Sequence, residues 1–141
     1  HVFMSDIRAS VAIPVLSIVE ETLTFLQSNG YRRIGIVSTS ATIKNKLYED
    51  AFKANGISYE SPDPLQQERM NRMIHNLVLG QLNNKDREEL VGIINSFENR
   101  NVDCVALACT DLQLLIPKHP TLKIFDTMKI LADATVREIL S

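Results

Sequence analysis

Val102-Asp103-Cys104-Val105-Ala106-Leu107-Ala108-Cys109-Thr110-Asp111 is the stretch on which the fold turns. Five of the seven residues before Cys109 are Val, Ala or Leu, and the polar cluster Glu98-Asn99-Arg100-Asn101 precedes them. A continuous apolar run of this length between polar clusters fits a strand covered on both faces. Such strands belong to parallel sheets, where ligands bind just beyond the carboxyl ends. Cys109 stands at such an end, followed by a hydroxyl and a carboxylate. That is the place for a reactive thiol.

Working outward, the same alternation of short strands and helices recurs. Residues 1–9 carry Val2, Phe3 and Ile7 at helical spacing, and Val11-Ala12-Ile13-Pro14-Val15-Leu16-Ser17-Ile18 reads as a strand with Pro14 restricting it to an edge or a start. A helix is expected over residues 19–29, stopped by Gly30, and a strand over Arg33-Ile34-Gly35-Ile36-Val37. Thr42 is a candidate cap for a helix carrying Ile43, Leu47, Ala51 and Ala54, with Gly56 as its stop, and Ile57-Ser58-Tyr59 is a short strand. Pro64 opens a helix to about Leu79, and Asn84 caps another running to Asn99. After the strand to Ala108 come a helical turn at Leu112 to Ile116, a strand at Lys123-Ile124-Phe125 and a helix from Met128 to Leu140. Strands alternating with helices of about ten to fifteen residues indicate an α/β fold, a parallel sheet with flanking helices.

Composition narrows the function classes. The 141 residues hold 15 basic and 17 acidic side chains, interspersed, so neither a nucleic-acid surface nor a charged tail is expected. The longest apolar runs fall well short of the ~18 residues a membrane span needs, and no signal peptide is evident. Cys104 and Cys109 on one strand and its exit lie roughly 16 Å apart. A disulfide needs Cα atoms within about 7 Å, so free thiols in a reducing, cytoplasmic compartment are expected. No His–Cys pair has metal-ligand spacing, and no metal is expected.

Three strand exits carry polar residues. Ser38-Thr39-Ser40-Ala41-Thr42 places hydroxyls and helix-terminal amides where an anion such as a carboxylate could bind, and it equally fits a self-capped turn. It has neither the Gly-x-Gly-x-x-Gly nor the Gly-Lys-Ser/Thr signature, so phosphate cofactors are not indicated. At Cys109-Thr110-Asp111 the amides of the following turn would lower the thiol pKa below about 8.5; the alternative is a small apolar residue ending a buried strand. At Phe125-Asp126-Thr127 a helix cap is the simplest reading.

Taken together these segments resemble the cofactor-independent aspartate/glutamate racemases, a family that includes hydantoin racemases. Ala108-Cys109-Thr110-Asp111 is similar to the family's second catalytic segment, Gly-Cys-Thr-Glu, with Ala for Gly and Asp for Glu. Ser38-Thr39-Ser40-Ala41-Thr42 resembles its small-residue turn, and residues 13–22 its crossover between lobes. Glu68-Arg69-Met70-Asn71-Arg72-Met73-Ile74 and Phe125-Asp126-Thr127 resemble further recurrent segments in the same order. The resemblance also reads His1 as the last residue of the first catalytic segment, Cys-Asn-Thr-x-His.

The resemblance implies a two-lobe fold in which residues 1–18 are a remnant of the first lobe, 19–121 form the second, and 122–141 return to the first. It further implies inversion at Cα of aspartate or glutamate by two thiols, one per lobe, without pyridoxal phosphate or another cofactor, in a protein that is a homodimer when full length. Cys109 is the expected acid/base on one face. Thr39, Ser38, Ser40, Thr110 and Asp111 are the expected substrate-binding residues. With Cys104 inside a strand, the 141 residues alone supply one thiol and are expected not to racemise. A hydantoin racemase, a one-cysteine decarboxylase relative and a non-catalytic α/β ligand-binding module are the alternatives.

Overall fold

The computed structural model describes residues 3–81 and 83–141, and the readings placed on His1 and Val2 lie outside them. Four strands form one parallel sheet in the order β2-β1-β3-β4: β1 is Arg33–Val37, β2 Ser58–Glu60, β3 Cys104–Leu107 and β4 Lys123–Asp126. Seven α-helices accompany them among the described residues: α1 Met4–Ser10, α2 Ile18–Ser28, α3 Ser40–Lys44, α4 Glu49–Ala54, α5 Pro64–Val78, α6 Asn84–Glu98 and α7 Thr127–Leu140. A 3-10 turn, Thr110–Leu115, follows β3.

The sheet is covered on both faces, as the apolar run in β3 requires. Ile34, Ile36, Cys104 and Ala106 pack with Leu26 of α2 and Phe52 of α4, against which α7 also lies. Val37, Val105 and Leu107 point the other way, into Met70 and Met73 of α5 and Leu90, Ile94 and Phe97 of α6. Gly35 shares that second face for a steric reason: a Cβ there would sit 2.9 Å from the Phe97 ring. The chain leaves β1 toward the β2 side along the α4 face and crosses to β3 along the α5–α6 face. The neighbouring ends of β1 and β3 are therefore the switch point, where a crevice opens beyond the strands.

Local chemistry accounts for most element ends. Asp63 and Gln66 form a reciprocal capping box with Pro64 at the first helical position, and Asn83 and Asp86 form another. The Asp103 carboxylate accepts from the amides of Arg32 and Arg33 at 2.7 and 2.8 Å, tying the start of β3 to β1.

Several expected boundaries are corrected. Residues 11–17 are not a strand: no described strand lies beside them, Pro14 lacks a donor, and Val11 and Ile13 are exposed. The helix expected after Thr42 is two short helices, α3 and α4, because Lys46 takes a left-handed backbone with φ of 51° and breaks the ladder. Its cap is Thr39, whose hydroxyl accepts from the Thr42 amide, and α6 is capped one residue earlier than expected, by Asn83. Apart from these boundaries, β4 pairs with β3 and α7 packs on α2.

Candidate active site

The switch point holds a cavity of about 350 Å³, ordinary for a small-molecule site. Val37 lies beside Leu107 in the register, and the Ala108 amide donates to the Val37 carbonyl at 2.7 Å, so the two strand exits run out together. This brings Thr39 and Thr42 from one exit to Cys109, Thr110 and Asp111 from the other. Thr127, at the start of α7, joins from the third exit, its hydroxyl donating to the Leu107 carbonyl at 2.9 Å. Ile18, Leu47, Met128 and Leu131 add apolar lining. No Lys or Arg is among the described residues lining the cavity.

Cys109 is buried, with 7% of its surface exposed, and lies where β3 gives way to the 3-10 turn. Burial pushes its thiol pKa up. The amides of Asp111 and Leu112 pull it down and the Asp111 carboxylate pushes it up again, with burial the largest effect. The expected lowering is therefore corrected: the turn's amides do face the sulfur, but they are outweighed by desolvation of the thiolate. The raised pKa favours the neutral thiol, whose Sγ lies 4.0 Å from Asp111 Oδ2. Cys104 is fully enclosed in β3, and burial pushes its pKa up to about 12. Both cysteines are free thiols.

The expected substrate-binding set divides. Thr39, Thr110 and Asp111 line the cavity with Cys109, whereas Ser38 and Ser40 do not. Ser38 is fully buried and Ser40 is bonded to Asn71 on α5. Helix-terminal amides contribute less than expected after β1, since α3 has only five residues. Thr39 Oγ1 lies 3.0 Å from Thr42 Oγ1, so the turn presents a pair of hydroxyls. Sequence reading missed Tyr48, whose phenol pKa is raised by burial and lowered by the hydroxyls of Thr127 and Thr22. It also missed the apolar lining. Tyr48 was hidden by the unmarked break between α3 and α4, and Met128 and Leu131 read only as one helix face.

His119 serves elsewhere. His119 accepts at Nδ1 from the Leu122 amide at 3.0 Å and bonds Asn95 through Nε2 at 2.8 Å, which fixes its loop. Among the described residues no group of three or more His, Cys, Asp or Glu is placed to hold a metal ion, and no helix is long and apolar enough to cross a membrane.

Alkylation should separate the two thiols. Iodoacetamide is expected to label Cys109 at least about tenfold faster than Cys104, with the Cys109 rate rising through an apparent pKa above the ordinary ~8.5, because the thiolate is the nucleophile. Mass-spectrometric rates against pH measure this; equal labelling, or a Cys109 profile below 8.5, contradicts the assignment.

Comparison with known proteins bears directly on this cavity. The family profile described as Asp/Glu/Hydantoin racemase matches residues 1–135. The broad specificity amino-acid racemase RacX of Bacillus subtilis is 27% identical over 143 residues, covering 100% of this chain and 61% of RacX. A crystal structure described as a candidate Asp/Glu racemase from Yersinia pestis superimposes with a TM-score of 0.88 at 28% identity, over 97% of this chain and 61% of that one. The Picrophilus torridus aspartate racemase superimposes with a TM-score of 0.73 at 26% identity, over 87% of this chain and 52% of that one. The chain thus spans between half and two thirds of the length of these three relatives.

Proposed function

The chain belongs to the Asp/Glu/Hydantoin racemase family, and from that premise we propose that it forms one wall of an amino-acid racemase site, with Cys109 exchanging the proton on one face of Cα. The observation that carries this is the convergence of a buried thiol, a threonine pair and a carboxylate on one cavity at the sheet's switch point.

The chemistry needs a base on one face of Cα and an acid on the other. With Cys109 as thiolate, its sulfur takes the Cα proton, the S–H bond forms, and the C–H electron pair delocalises into the α-carboxylate. A group on the opposite face then delivers its proton to Cα, giving the mirror-image amino acid. In the reverse direction Cys109 begins as the neutral thiol that burial favours and donates. Thr39 and Thr110 hold the α-carboxylate through hydroxyl and amide groups where negative charge grows. Asp111 orients the Cys109 S–H or receives the α-ammonium. No pyridoxal phosphate enters, because the carboxylate itself is the electron sink.

The second acid/base is not Cys104, which is enclosed on the α2–α4 face of the sheet. The 141 residues alone are therefore expected not to invert Cα. The activity belongs to the two-lobe protein in which the first lobe closes the cavity.

Aspartate and glutamate are the substrates the family description puts first. The cavity favours a second reading: an α-amino acid with an uncharged side chain, laid against Ile18, Leu47, Met128 and Leu131 with no described cation nearby. A polarimetric assay over aspartate, glutamate, methionine and leucine decides between them. Inversion of any member supports a racemase and ranks the two readings, and inversion of none by the two-lobe protein refutes it.

A further inference from the structure

Resting on the reading of Thr39 as a carboxylate ligand, we propose that Gln67 and Asn71 of α5 are positioning residues that hold the Thr39 hydroxyl in the site. Neither lines the cavity, and both act through the backbone and side chain on either side of Thr39.

Gln67 Nε2 donates to the Ser38 carbonyl at 3.0 Å and to Asn71 Oδ1 at the same distance. Asn71 Nδ2 donates to Ser40 Oγ at 2.8 Å. Residues before and after Thr39 are thereby tied to one face of α5, where Gln67 and Asn71 are neighbours one turn apart. Thr39 is left between the ties, facing Thr42 and the cavity.

The turn's other ties are local, from the Thr42 and Ile43 amides to Thr39. Ser38 and Thr39 lie between a strand end and a helix of only five residues, and the buried Ser38 hydroxyl has no partner. The anchor itself is firm: α5 starts from a capping box and buries Met70, Met73, Ile74 and Leu77. A buried, fixed helix thus sets the position of a turn whose own bonds run only to a short helix. A displacement of about 1 Å at a substrate ligand can cost 10²-fold in rate. Deleting a neutral hydrogen bond costs only about 1 kcal/mol of stability, so the variants should stay folded.

Amide hydrogen exchange on the 141-residue chain reads the tie without any need for activity. The reporters are the amides of Thr42 and Ile43, which donate to Thr39 Oγ1 at 3.2 Å and to the Thr39 carbonyl at 3.1 Å. In Gln67→Ala, and in the isosteric Gln67→Glu that lacks the donor, both should exchange about tenfold faster, with the amides of Ile36, Val105 and Met73 unchanged. Unchanged exchange at Thr42 and Ile43, or uniform acceleration everywhere, overturns the proposal. In the two-lobe protein the same variants should lower kcat/KM about tenfold, part of it as a raised KM, and leave the pH profile set by Cys109 in place, whereas a merely structural defect reduces the active fraction at constant KM. Faster exchange with unaltered KM removes the link to substrate. If the wild-type protein inverts no amino acid, the racemase reading fails and the exchange result still decides the tie.

Discussion

Cys109→Ser is expected to lower inversion in both directions by about 10²–10⁴-fold, the span a positioned acid/base contributes. Serine preserves the shape of the thiol but not its acidity, so the variant should fold normally and bind substrate with little change in KM. Both directions should suffer because, on the proposed mechanism, each inversion uses Cys109 once, as base for one enantiomer and as acid for the other. Initial rates from each pure enantiomer measure the effect. Activity within about threefold of wild type would remove Cys109 from the mechanism.

The second large effect is structural. Phe97 is fully buried where α6 crosses β1, and Phe97→Ala is expected to cost about 3–5 kcal/mol. That is a large share of the roughly 5–15 kcal/mol available to a typical domain. The reason for the sensitivity is Gly35, which lets the ring approach the strand so closely that any added Cβ meets it at 2.9 Å. Gly35→Ala alone is expected to cost about 1–3 kcal/mol by overpacking. The pair should not be additive: with Phe97 reduced to leucine, Gly35→Ala should cost clearly less than in the parent protein. Urea unfolding midpoints at constant m-value measure all three. Additive costs would mean the ring and the glycine are not in the contact described.

These positions also show what a sequence can and cannot disclose. β3 was legible because burial on both faces leaves a continuous apolar run, and α5 because Pro64 marks its start. The 11–17 segment misled because Val11, Ile13 and Val15 have strand composition, while pairing depends on a neighbour that composition does not encode. The α3–α4 break was missed because it rests on a left-handed lysine, Lys46, where a glycine would ordinarily stand. At the site, Cys109, Thr39, Thr110 and Asp111 could be read as strand exits, but their meeting depends on strand order. The direction of the Cys109 pKa shift depended on a balance between burial and amides that only packing sets. Ser38 and Ser40 were indistinguishable in sequence from Thr39; the α5 side chains that hold one and bond the other are some thirty residues away.

The central claim is that one sulfur exchanges the proton on one face of Cα, and solvent-isotope incorporation tests it most directly. Incubated in D2O and followed by NMR, the wild-type two-lobe protein should place deuterium at Cα starting from either enantiomer. Cys109→Ser should lose that exchange for the enantiomer whose Cα proton faces the thiol and retain it for the other, whose proton is drawn off on the opposite side. Equal retention for both enantiomers in the variant would contradict the account.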